Sequence, residues 1–374
     1  MQKIFIIGPA WPLRGGLASF NERLARECIR MGYQTELYTF SLQYPDFLFP
    51  GTTQYSSEPA PADLIIHRCI HSMNPLNWIK IGRQIRKQQP ELIIVRYWLP
   101  LMGPCLGSIL RIAKRKNKTR IVCIADNIVP HEHRPGDTLF TRYFVKAIDG
   151  FITMSDQVLQ QLKNFSQQPA ACVVHPLYDH FGEIIPIQTA REQLSLPISE
   201  KIILFFGFIR KYKGLDLLLQ AMAHPAIRAA NIYLLIAGEF YDKPEEYLSI
   251  IEKEQLEDRV ILRTDFIPDS MVKYYLSAAD FVIQPYRNAT QSGVTPLAYH
   301  FEKPMLVTNV GGLPDRVSDG KTGIITQPNP EAIAIGILDL YAKGVNHFIP
   351  HIQEEKKLYS WQNLVEALVN IGKQ

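Results

Sequence analysis

The chain has 374 residues, with 40 Lys+Arg against 36 Asp+Glu, a formal net charge of +4 and 47% hydrophobic residues. At roughly 150 residues per domain this suits two domains, each long enough to bury its own core. Such a composition excludes a disordered or collagen-like chain. The five-residue apolar run Ile4–Gly8 falls well short of the roughly 18 residues of a spanning helix and lacks a signal-peptide layout, so secretion and membrane spanning are not expected.

Short β-branched runs alternate with longer helical patterns. The expected strands of the first half are 3–8, 35–40, 63–68, 91–96, 120–125, 150–155 and 171–176. Between them, LASFNERLARECIRMG has helical spacing and stops at Gly32; NWIKIGRQIRKQQ and YFVKAI read as further crossover helices. The stretch Tyr178–Glu200 is polar and has no clear period. A second cycle follows, with strands at 201–207, 231–238, 259–264, 280–286, 304–309 and 323–328. This βαβ rhythm predicts two α/β, Rossmann-like, doubly wound parallel sheets facing an interdomain cleft. The expected boundaries are 1–178, 179–355 and a last segment, 356–374.

Such sheets bind ligands beyond the carboxyl ends of their strands, so four loops carry the expected chemistry. Gly15 and Gly16 open a helix after the first strand and let backbone N–H groups approach an anion, although neither a dinucleotide nor a Walker motif is present. FGFIRKYKG (206–214) sets Arg210 and Lys213 three apart, two cations suited to a diphosphate. PYRNATQSGVTPLA (285–298) offers Thr290, Gln291 and Ser292 as neutral partners for hydroxyl-rich ligands, then Gly293 and Val294 at a helix start. CIADNIVPHEH (123–133) carries Asp126 and Asn127; its His131, Glu132 and His133 are too weak a pattern for a metal site. Five dispersed cysteines without a C-x-x-C pair argue for free thiols in a reducing cytoplasm, and against disulfides or zinc.

These loops in this order, with IAGEF, DFIPDSMVKYYLSAADFVIQPY, PMLVTNVGGLPDRVSDGKTG and the tail YSWQNLVEAL, resemble the retaining GT-B glycosyltransferases of family 4 (group 1) over nearly the whole chain. The resemblance implies a hexosyltransferase of polysaccharide biosynthesis, with a UDP- or GDP-linked donor, a glycan or lipid-linked saccharide acceptor, no metal and no cofactor. It places Gly15, Gly16 and Asn127 by the donor, and Arg210 and Lys213 on the diphosphate. Gln291, Ser292, Gly293 and Val294 then hold sugar and phosphate, with Thr290 by the sugar, Phe266 by the base and Asp126 near the reacting centre. It also implies that the last helix crosses back to the first domain. The family's paired glutamates fall on Thr290 and Ala298 (or Ala289 and Leu297), none of them a carboxylate, and its histidine falls on Asp126. Two other readings stand beside this one: a non-catalytic nucleotide-sugar or glycan-binding protein, and a sugar-nucleotide epimerase.

Charge is uneven. Residues 1–178 carry +9 and the remainder −5. Six basic residues between Arg111 and Arg120 suggest peripheral contact with the anionic cytoplasmic face of a membrane, and no nucleic-acid partner is expected.

Overall fold

The computed structural model describes residues 2–45, 53–129, 134–289 and 292–374. It divides into two units, Met1–Pro176 with Ser360–Gln374, and Leu177–Tyr359.

In the first unit the strands are β1 (Lys3–Ile7), β2 (Gln34–Leu42), β3 (Ile66–His71), β4 (Leu92–Tyr97), β5 (Arg120–Ala125), β6 (Gly150–Thr153) and β7 (Ala170–Cys172). They form one sheet in the order β3-β2-β1-β4-β5-β6-β7, parallel throughout. Runs such as KIFII and LIIVRY are apolar at successive positions because both faces of the sheet are covered. The crossovers are α1 (Gly16–Arg30), α2 (Pro75–Gln88), α3 (Gly103–Ala113), α4 (Asp137–Val145) and α5 (Asp156–Leu162). Ile93, Val95, Ile121, Cys123, Phe144 and Phe151 sit at the centre of the core. β3 begins three residues later than its expected window, 63–68, because Asp63–Ile65 turn before pairing starts at Leu37↔Ile66.

The second unit opens with α6 (Ile187–Gln193) and continues with β8 (Lys201–Phe206), α7 (Leu215–Met222), α8 (Pro225–Ala229), β9 (Ile232–Ala237), α9 (Pro244–Lys253), β10 (Val260–Arg263) and α10 (Asp269–Ala278). β11 (Phe281–Gln284), α11 (Val294–His300), β12 (Met305–Thr308), β13 (Gly323–Thr326), α12 (Pro330–Lys343) and α13 (Val345–Glu355) complete it. Its parallel sheet has the order β10-β9-β8-β11-β12-β13.

The last helix, α14 (Trp361–Lys373), packs on the first sheet. Gly150 makes room for it: a Cβ there would lie 2.2 Å from Ile371 Cγ2. All five cysteines are free thiols, with Cys28, Cys105 and Cys123 buried. Among the described residues no single helix is long and apolar enough to cross a membrane.

Candidate active site

Each sheet reverses its strand order once, between β1 and β4 in the first unit and between β8 and β11 in the second. Connections leave in opposite directions there, and the crevice beyond the strand ends is where parallel sheets take ligands. Gly15 and Gly16 follow β1 and Arg210 and Lys213 follow β8, beside these two places; Asp126 and Asn127 follow β5, and Phe266 follows the edge strand β10.

In the first unit Gly8 follows β1 and is pressed against its neighbours: a Cβ would meet Asn21 Nδ2 at 2.7 Å and Arg96 Cβ at 3.3 Å. Beside it Arg96, at the end of β4, forks onto Asp126, just past β5. Nε donates to Oδ2 at 2.7 Å and Nη2 to Oδ1 at 2.6 Å. Arg96 is 3% exposed and Asp126 6%, so this is a buried ion pair. The guanidinium also lies 3.8 Å from the Phe20 ring centroid, a cation–π contact strengthened by burial. Phe20 in turn packs on Trp361 at 4.8 Å and on His175 at 5.1 Å. Both Asp126 oxygens therefore hold charge-assisted bonds, which fix the carboxylate in place. Asn127 follows in the same turn and is half-buried. Gly15 starts α1 with φ +98°, and the helix has no side-chain cap and no acidic residue in its first turn. Gly16 next to it is exposed. His131, Glu132 and His133 lie outside the described residues.

In the second unit three glycines shape the site. Gly207, after β8, has φ +91°, and Gly238, after β9, has φ +143°; a Cβ on Gly238 would fall 2.3 Å from the Gly207 carbonyl oxygen. The turn Lys211–Lys213 follows, and Gly214 (φ +69°) ends it against the Pro285 carbonyl, 2.0 Å from where a Cβ would be. Only glycine fits there, so the β8 and β11 loops are locked together. Lys211 N–H donates to Asp242, Arg287 N–H donates to the Tyr212 carbonyl, and Arg287 pairs with Asp216.

This frame turns Lys213 inward. Its ammonium lies 3.2 Å from the position a Gly207 Cβ would take and 5.8 Å from the Tyr286 ring centroid. The side chain is buried, and its pKa is pushed down to about 7, first by desolvation and then by the charge of Arg210. Arg210 is half-buried with its guanidinium 4.9 Å from the Tyr241 ring centroid. Tyr241 is 4.3 Å from Phe208, and Phe208 is 6.2 Å from Phe266. An aromatic group thus lines the ends of β8, β9 and β10, with Arg210 beside it.

Ser292 takes a local role. Its Oγ accepts the Val294 N–H at 3.1 Å and lies 3.2 Å from the Tyr286 hydroxyl, so this N–H is already bonded within the loop. A Cβ on Gly293 would stand 3.4 Å from the Tyr178 hydroxyl. Thr290 and Gln291 lie outside the described residues. Ala289, Leu297 and Ala298 are buried and apolar. Among the described residues no group of three or more His, Cys, Asp or Glu could hold a metal ion.

Sequence reasoning missed Arg96, Phe20, Tyr178, Tyr241 and Tyr286. For Arg96 a signal existed: a lone cation in LIIVRY, a strand apolar on both faces, needs a buried anion.

The family model "Glycosyltransferase Family 4" matches residues 14–180, and "Glycosyl transferases group 1" matches residues 200–343. The D-inositol 3-phosphate glycosyltransferase of Acidothermus cellulolyticus is 25% identical over 400 residues, covering 96% of this chain and 85% of the relative. That of Segniliparus rotundus is 32% identical over 139 residues, 36% of this chain and 31% of the relative. Among solved structures, sucrose-phosphate synthase from Thermosynechococcus elongatus superposes with a TM-score of 0.78 at 19% identity, covering 100% of this chain and 99% of that one. Anabaena Alr3699/HepE, solved with UDP-glucose, gives 0.77 at 15% identity and 99% of both chains. With two parallel α/β sheets and both family models matched in order, the chain belongs to the group 1 glycosyltransferases of GT-B fold.

Proposed function

We propose that this glycosyltransferase uses a UDP- or GDP-linked hexose, works without metal or cofactor, and retains anomeric configuration. What carries the reading is the cationic pair at the β8–β11 reversal, Arg210 and Lys213. As the bond from the anomeric carbon to the diphosphate oxygen breaks, negative charge grows on the leaving group. Arg210, and Lys213 once the bound diphosphate favours its protonated form, stabilise it without a divalent ion. The acceptor hydroxyl attacks from the leaving-group side. Its proton passes to the departing phosphate oxygen, so no carboxylate base is required. Solved relatives carry UDP or UDP-glucose, which supports the donor class.

Further roles rest on the family resemblance. Phe266, with Phe208 and Tyr241, serves the base. Thr290, Gln291, Ser292, Gly293 and Val294 serve the sugar and phosphate. From the first unit, Gly15, Gly16 and Asn127 contribute to the donor, and Asp126 acts as a fixed charge near the reacting centre. The acceptor is a glycan or lipid-linked saccharide.

Thermal shift with a panel of UDP-, GDP- and ADP-sugars identifies the donor, since a ligand of the folded state alone raises stability. With that donor, Arg210→Ala is expected to lower kcat/KM by about 2–4 kcal/mol of transition-state stabilisation, as for loss of one preorganised donor. Unchanged turnover removes Arg210 from the diphosphate. The anomeric proton coupling of the product decides retention against inversion. Activity is expected to survive EDTA; complete loss with rescue by a divalent ion overturns the metal-independent reading.

A further inference from the structure

Between Asp63 and Asp126 the chain carries twelve Lys or Arg and one acidic residue, Glu91. The Glu91 carboxylate accepts the Lys3 backbone N–H. Several of the cations serve the fold. Arg96 is buried on Asp126, and Lys114 pairs with Asp149. Arg111 donates to the carbonyl oxygens of Gly107 and Tyr143, and Arg86 to those of Ile112 and Lys114. The basic cluster at 111–120 is therefore partly spent on internal contacts.

Helix α2 differs. Ile81, Gly82 and Ile85 are buried, and Gly82 lets α2 lie close on α3, since a Cβ would meet Ile112 Cβ at 2.7 Å. On the opposite side Leu76, Lys80, Arg83 and Lys87 fall at i, i+4, i+7 and i+11, one line along the outer surface. The three cations are exposed and make no ion pair among the described residues. Large apolar side chains stand beside them: Leu76 is 77% exposed, Met73 55% and Ile79 38%. On α4, which packs against the other side of α3, Leu139 is 68% exposed.

We propose that the outer face of α2 docks the protein on an anionic lipid bilayer. Lys80, Arg83 and Lys87 meet the headgroups, and Met73, Leu76 and Ile79 enter the boundary between headgroups and acyl chains. Charge alone suits any polyanion. The apolar side chains on and beside that line select lipid, because a nucleic acid or acidic polysaccharide offers them no place to bury. The proposal extends the reading of a lipid-linked acceptor, but its test does not depend on turnover.

Full-length protein is sedimented with vesicles of phosphatidylcholine alone or mixed with phosphatidylglycerol, at low and high salt. Binding is expected only to the anionic vesicles and is expected to fall as salt rises. Lys80→Gln/Arg83→Gln/Lys87→Gln is expected to lower partitioning roughly a hundredfold, at about fivefold per cation removed. Leu76→Asp/Ile79→Asp is expected to abolish binding even at low salt, with the melting temperature unchanged because both side chains are exposed. The proposal fails if the triple variant binds like the wild type. It also fails if Leu76→Asp/Ile79→Asp is silent while DNA competes with vesicles, which identifies a polyanion site. Transfer to a water-soluble acceptor is expected to be unaltered in both variants. Vesicle binding without any transfer overturns the enzymatic reading and supports the docking surface.

Discussion

Lys213→Met is expected to abolish transfer while raising the melting temperature. The ammonium is buried against Gly207 and Tyr286 with Arg210 as its charged neighbour, and its pKa is pushed down to about 7. The unfolded chain, where a lysine titrates near 10.5, therefore binds more protons than the folded one between about pH 7 and 10.5. Stability consequently rises with pH across that window, and Lys213 opposes folding at and below its lower end. A methionine of similar length removes the penalty, with an expected gain of about 1–2 kcal/mol, as found where an active site is held at a cost in stability. The same residue makes donor binding pH-dependent. A diphosphate favours the protonated amine, so binding above about pH 7 takes up a proton and weakens by up to about tenfold per pH unit. Calorimetry of nucleoside diphosphate binding in buffers of different ionisation enthalpy measures that uptake directly. Wild-type turnover in Lys213→Met, or proton uptake that persists in it, refutes the assignment.

The pair Arg96–Asp126 is expected to separate structure from chemistry. Arg96→Met strands a buried carboxylate, and Asp126→Leu strands a buried guanidinium. Each is expected to cost about 3–5 kcal/mol, read as a lowered denaturation midpoint. Arg96→Met/Asp126→Leu replaces both charges with apolar side chains and is expected to recover most of that stability. If Asp126 serves the reacting centre, the double variant folds and stays inactive. A folded, active double variant reduces the pair to a packing device.

Much of the fold was legible because a parallel sheet buried on both faces writes itself as apolar runs, and LIIVRY or IYLLIA cannot be mistaken for a surface segment. Helix α3 was not. Its sequence, GPCLGSILRIA, carries two glycines and a proline, and the reason for the glycines is tertiary. A Cβ on Gly103 would sit 2.5 Å from the Phe140 carbonyl, and one on Gly107 would sit 3.0 Å from the Tyr143 ring. The position of β3 was obscured because its flank, Leu64–Ile65, is as apolar as the strand, and only pairing with β2 chooses the register. At the site, Arg210 and Lys213 were visible by spacing, yet KYK reads as a solvated turn. Burial of Lys213 follows from Gly214 closing on Pro285, a contact between loops about 70 positions apart that no local pattern encodes. Asp126 was found and its partner was not, since the two lie thirty residues apart, Arg96 on β4 and Asp126 just past the adjacent β5.

Helix α14 has a consequence for the order in which the protein is made. The first unit consists of Met1–Pro176 and Ser360–Gln374, two stretches separated by the whole second unit. Until α14 emerges from the ribosome, Phe20 lacks Trp361 and the sheet around Gly150 lacks Ile371. At about 5–20 residues per second, the intervening segment takes roughly 10 to 40 seconds to synthesise. Through that interval the first half of the chain lacks the cover that α14 gives its sheet. The second unit is contiguous and closes as soon as its own residues are out, so the part made later is finished earlier.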